Sequence, residues 1–81
     1  MDDKTVLSHI DELMAEEHRL RDRRQAGELS SEEEQARLRE VEVSLDQCWD
    51  LLRRRRAARD QGGDPDSVEP RSPSQVESYL Q

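Results

Sequence analysis

Phenylalanine is missing from this chain, and Trp49 and Tyr79 are its whole aromatic content. With 31% hydrophobic residues spread over 81 positions, there is too little apolar bulk to enclose a deep core with a catalytic cleft. Apolar runs stop at two or three residues, whereas a helix that spans a bilayer needs about 20. No apolar stretch follows a basic N-terminus, so a secretory leader is not expected. A single cysteine, Cys48, cannot close an internal disulfide, which makes a reducing cytoplasm the expected compartment. The three glycines and three prolines are also unevenly placed: apart from Gly27, all lie between positions 62 and 73. Two long stretches are thereby left free of helix breakers. What the chain has in quantity is charge. Twenty acidic against thirteen basic residues give a net charge of −7, which argues against a polyanion-binding surface as the main business of the molecule.

The first uninterrupted stretch carries Val6, Ile10, Leu13 and Leu20 at spacings of four, three and seven, the period of one helical face. Asp2 or Asp3 can cap its start, the arginines between Arg19 and Arg24 suit its C-terminal end, and Gly27 supplies a left-handed stop. The second stretch opens with Leu29-Ser30-Ser31-Glu32-Glu33, an apolar residue before a serine cap with a glutamate three residues on. Its apolar series runs Leu38, Val41, Leu45, Cys48 and Leu52. Helices are therefore expected over about 3–26 and 31–61, joined by a link too short for anything but an antiparallel pair.

Pairing residues whose numbers sum to 58 sets Leu20 against Leu38, Leu13 against Leu45, Ile10 against Cys48 and Val6 against Leu52. In the same register each acidic half-helix lies beside a basic half-helix, which selects orientation more than it stabilises. The expected fold is all-α: an antiparallel two-helix hairpin over residues 1–61, packed like a coiled coil. After it come a disordered acidic linker over 62–73 and a short segment over 74–81. There Ser74 can cap one helical turn with Val76, Tyr79 and Leu80 on one face; so short a turn is ordered only if docked.

Two helices cannot bury both sides of their apolar rows. Leu7, Met14 and Trp49 lie beside the seam and stay half exposed in a lone hairpin, a strip of the kind that marks a partner surface. A second copy is the simplest partner and gives a four-helix bundle; an unidentified protein partner or the docked tail over Trp49 are the other covers.

Candidate chemistry is sparse. His9 with Glu12, and Glu16-Glu17-His18, lack the Glu-x-x-His spacing of bundle metal sites and read as solvated polar faces. Glu17 interrupts the seam opposite Val41 and reads as a register-setting residue that reaches Arg21 one turn on. Cys48 has neither a base nor an oxyanion pocket in view, and a thiol on the seam behaves as a small apolar group. Arg53-Arg54-Arg55-Arg56, followed by Arg59, spreads around the helix as a collar; Arg53, Arg54, Arg56 and Arg59 are the candidate basic contacts. No Gly-rich phosphate loop, zinc spacing or aromatic platform accompanies them. The expectation is a non-catalytic interaction or regulatory module without cofactor or metal, cytoplasmic and homodimeric, with no membrane contact. The alternative is a regulator that touches nucleic acid, or an enzyme acting on it, through the Arg53–Arg59 collar.

The strings His9-Ile10-Asp11, Leu13, Glu16-Glu17-His18, Leu20-Arg21, Leu45-Asp46-Gln47-Cys48-Trp49-Asp50-Leu51-Leu52-Arg53 and the closing Val76-Glu77-x-Tyr79-Leu80-Gln81 cover nearly the whole chain. Together they resemble a family of short actinobacterial proteins classified only as a domain of unknown function. Twelve arginines to one lysine suit the GC-rich genomes of that group. The resemblance implies a helical fold and a taxonomic setting; it implies no activity and no functional residue.

Overall fold

The computed structural model describes residues 2–72. Helix α1 spans Asp3–Gln25 and helix α2 spans Ser31–Asp60; a single 3-10 turn follows over Pro65–Ser67, and the described residues contain no strand. Both helix starts are capped by side chains. Asp2 Oδ1 accepts a hydrogen bond from the Thr5 amide at 2.8 Å. The Glu33 amide donates to Ser30 Oγ at 3.1 Å while Glu33 Oε1 accepts from the Ser30 amide at 3.2 Å, so two of the helix's orphan donors are satisfied reciprocally.

The two helix ends use one device. At α1, the Glu28 amide reaches Arg23 O at 2.9 Å and the Gly27 amide reaches Arg24 O at 3.1 Å. At α2, the Gly63 amide reaches Ala58 O at 2.8 Å and the Gly62 amide reaches Arg59 O at 3.0 Å. Each pair of bonds needs a left-handed residue between them, and Gly27 (φ 78°) and Gly62 (φ 79°) supply it. The first turn reverses the chain into α2. The second reverses it again, so that residues 62–72 travel back along the outside of α2.

The helices are antiparallel, and their register is fixed by a polar contact on the expected numbering. Asp3 and Arg55, whose numbers sum to 58, meet at 2.7 Å. The core holds Val6, Ile10, Leu13 and Leu20 from α1, Leu29 from the loop, and Val41, Cys48 and Leu51 from α2; Leu38, Leu45, Leu52 and Val68 pack at its edge.

The α2 seam departs from its expected line. Leu51 is buried to 3% exposure, while Leu38, Leu45 and Leu52 remain half-buried. The cause is the returning chain. Over its described part, the stretch read from sequence as a disordered linker takes a defined path: Asp64 Oδ1 accepts from the Asp66 amide, Ser67 Oγ donates to Asp64 O, and Val68 packs on the core. This strap lies over the Leu51 side of α2 and draws the seam toward it. Pro73 and the turn expected over 74–81 lie outside the described residues.

Candidate interaction surface

The sequence sets Arg53 to Arg56 around the helix as a charged collar. Helical geometry separates them, since consecutive residues point about 100° apart. Arg55 turns inward and is only 3% exposed. Its Nε donates to Asp3 Oδ1 at 2.7 Å, its Nη1 to Pro65 O at 2.8 Å and its Nη2 to Asp66 Oδ1 at 2.9 Å. One guanidinium thus joins the start of α1, the end of α2 and the strap, a use of the planar fork that lysine could not reproduce. Arg59 Nη1 adds a second contact to Asp3, with Oδ2 at 2.8 Å. Hydrogen bonding from Arg55, reinforced by Arg59, holds the Asp3 carboxyl below the usual carboxylate range, and Asp3 in turn pushes Arg55 up.

Arg54 serves the strap as well. Its Nη1 donates to Glu69 O at 2.7 Å and lies 3.5 Å from Asp50 Oδ2. Gln47 Nε2, about two turns earlier in α2, donates to Arg71 O at 3.1 Å. Asp50 is itself buried to 3% exposure between Arg54 and Arg71, whose Nη1 stands 3.9 Å from Asp50 Oδ1. The candidate basic contacts therefore divide. Arg54 and Arg59 are engaged within the chain, whereas Arg53 and Arg56 are exposed and make no ion pair among the described residues.

On the opposite flank of the hairpin, Leu7 (46% exposed) and Met14 (49%) from α1 accompany Trp49 (44%) from α2. These are the three residues singled out as an apolar strip, and the described part of the strap does not reach them. Leu7, Trp49 and Leu52 line a groove of about 230 Å³ whose rim is made by Asp3, Arg53, Arg56 and Arg59. A smaller apolar hollow of about 210 Å³ lies on the strap side, between Val6, His9, Ser44, Gln47, Cys48, Leu51 and Pro70.

The remaining candidates have ordinary surroundings. Glu17 Oε1 meets Arg21 Nη2 at 3.3 Å, one turn on, and gives the seam its polar step. His9 Nδ1 lies 3.8 Å from Glu12 Oε2 at the surface. Among the described residues no three His, Cys, Asp or Glu side chains are grouped to hold a metal ion. Burial pushes the Cys48 thiol up, so it stays protonated at neutral pH. No helix among the described residues is long and apolar enough to cross a membrane.

Sequence reasoning missed the Arg55 hub and the buried Asp50. The number sum that aligned the leucines also pairs Asp3 with Arg55, and that was the available signal. For Asp50 there was none, because its burial depends on the strap.

These features define a class: a small helical hairpin, closed on one flank by its own returning chain and, among the described residues, open and apolar on the other. The chain belongs to the family described as "Protein of unknown function (DUF2630)", whose model matches residues 2–81. It is 52% identical over 77 residues to proteins of Mycobacterium bovis and of two strains of Mycobacterium tuberculosis, each named as uncharacterized. The match covers 95% of this chain and 88% of each relative. No solved structure matches the chain.

Proposed function

We propose that this protein is a non-catalytic cytoplasmic interaction module that works by self-association through its open flank, where two hairpins join as a four-helix bundle. The observation that carries this reading is the exposure of Leu7, Met14 and Trp49, with Leu7 and Trp49 lining one groove and Met14 about two turns along α1 from Leu7. A chain with so few large apolar residues leaves three of them in water, although its own strap is long enough to cover a flank and covers the other one. Contiguous apolar surface rimmed by charge is the usual mark of a protein-binding face, and Trp with Arg at its edge is the composition of binding hot spots.

The reading is tested by the molar mass in solution, from light scattering across a hundredfold dilution, with Trp49 emission followed in parallel. A dimer at high concentration, with a blue-shifted Trp49 that moves red on dilution, is expected. Trp49→Ala should weaken the association about tenfold or more, as loss of an interface anchor does. Arg24→Ala, exposed near the hairpin loop, should leave it unchanged. A monomer throughout, with Trp49 emitting as a solvated indole, removes the reading. Contact with nucleic acid has less support, because among the described residues only Arg53 and Arg56 of the collar make no ion pair, and two phosphate contacts give weak, salt-sensitive binding. Duplex DNA binding at low salt is the check on that alternative.

A further inference from the structure

The open flank of α2 is self-complementary in a way the apolar strip alone does not reveal. Leu38, Leu45 and Leu52 recur every seven residues and lie half-buried at the edge of the core. A seven-residue repeat keeps side chains on nearly one line along a helix, so each leucine has one side on its own hairpin and one side toward solvent. Leu45 is the centre of this row. Glu34 stands eleven residues before it and Arg56 eleven residues after it, and eleven residues also return to the same face. Glu34 is half-buried and Arg56 exposed, and neither side chain makes an ion pair among the described residues.

We infer that two copies of this chain pair through antiparallel α2 helices about a two-fold axis at Leu45, with Glu34 of each copy facing Arg56 of the other. The inference rests on the self-association proposed above and names its geometry. A two-fold axis there sets Leu45 on Leu45, Leu38 on Leu52 and Glu34 on Arg56, twice over, and every one of these contacts is favourable. The parallel arrangement sets Arg56 on Arg56 and Glu34 on Glu34, and is opposed by both ends. Glu34 and Arg56 are about 33 Å apart along the helix, so the two ion pairs lie at the far ends of the interface and set orientation and register. Leu7, Met14 and Trp49 share this flank and widen the apolar contact on either side of the leucine row. An isologous interface requires such a self-matching pattern, in which residue i meets j and j meets i.

Charge reversal in a homodimer provides the test. Glu34→Arg alone and Arg56→Glu alone each create two like-charge contacts and should raise the dimer dissociation constant roughly tenfold. The double variant restores both pairs with the signs exchanged and should return to within about threefold of the original. Helix content of each variant, measured by circular dichroism, shows that the hairpin itself is intact. A second measurement does not depend on charge. In a Cys48→Ala background, Leu45→Cys should link copy to copy with a short bis-maleimide. Leu38→Cys should not, because its two copies stand about 21 Å apart in this register. A dimer that is indifferent to the single reversals, or that links through Leu38→Cys and not Leu45→Cys, overturns this geometry and leaves self-association standing. A double variant as weak as either single also overturns it. A wild-type chain that stays monomeric removes both.

Discussion

The two flanks of α2 are built from similar sequence and end differently. Leu51 and Trp49 are two residues apart, yet one is 3% exposed and the other 44%. The difference lies in the strap. On the Leu51 side, residues 62–72 return along the helix and are held by Gln47, Arg54 and Arg55, each through a backbone carbonyl. On the Trp49 side, no part of the described chain returns. Apolar content therefore does not decide which side closes, since the strap adds little more than Val68 at the core edge and Pro70 beside Leu51 to the hydrophobic packing. The closed flank is set by polar groups that take the strap's carbonyls, and the open flank keeps the larger apolar side chains.

This contrast predicts a wide spread of stability effects among side chains of similar size on the two flanks. Leu51→Ala removes a buried side chain from between α1 and the strap and should cost about 2–4 kcal/mol. On the open flank, Met14→Ala should change hairpin stability by no more than about 0.5–1 kcal/mol, because its solvent contact is already extensive. Urea unfolding at a protein concentration too low for self-association makes the comparison. Equal losses at the two positions would mean that the flanks are equally packed.

The helical layout could be read from the sequence because its signals are local. Both caps and the Gly27 stop are set by residues within three or four positions, and the leucine spacing fixed the register that Asp3 and Arg55 then obey. The exposure of Leu7, Met14 and Trp49 could be read for the same reason, as helix faces follow from spacing alone. What could not be read is the strap. Its contacts join Gln47 with Arg71 and Arg54 with Glu69 through backbone oxygens, which carry no side-chain signature. A stretch rich in Gly, Pro and Asp has the composition of a linker whether or not something holds it. Helix phase spreads the four arginines around α2 but does not say which partner each one meets, and the partners of Arg54 and Arg55 include the strap.

Next in size is the loss of Arg55. Arg55→Met keeps much of the aliphatic bulk and removes all three donors, leaving Asp3, Asp66 and Pro65 O without their shared partner. The strap should then detach while both helices persist. Amide exchange should speed up at Ser67 and Val68, whose amides bond within the strap, with α1 and α2 protection largely kept. Arg53→Met, on the open flank, should alter neither. Acid reports on the same hub. The Asp3 carboxyl is held low in the folded chain, so its contribution is complete above the unfolded-state value near pH 4 and is lost as pH falls through the lower folded value. The thermal midpoint should thus be level near neutrality and drop below about pH 4. Asp2 and Glu33, held low by their caps, fall in the same window. In Arg55→Met the Asp3 share of that drop should shrink to what Arg59 still supplies, with the cap share retained.

The smallest effect concerns the two glycines, which are alike in conformation and unlike in what they serve. A methyl at Gly27 or at Gly62 meets nothing within 4 Å, so Gly→Ala at either site brings no clash and only the strain of a left-handed backbone, about 1 kcal/mol. At Gly27 that strain falls on the link between α1 and α2, and both helices hold it in place through the core. Gly27→Ala should therefore lower the stability of the whole hairpin by about that amount. At Gly62 the strain falls on the entry to the strap, where the chain has a second option: it can leave α2 in another direction and give up the carbonyl contacts to Gln47, Arg54 and Arg55. Gly62→Ala should shift the unfolding midpoint less than Gly27→Ala but raise amide exchange in the strap more. If the two substitutions prove indistinguishable by both measures, the strap is as firmly fixed as the hairpin loop, and the two flanks differ in composition without differing in stability.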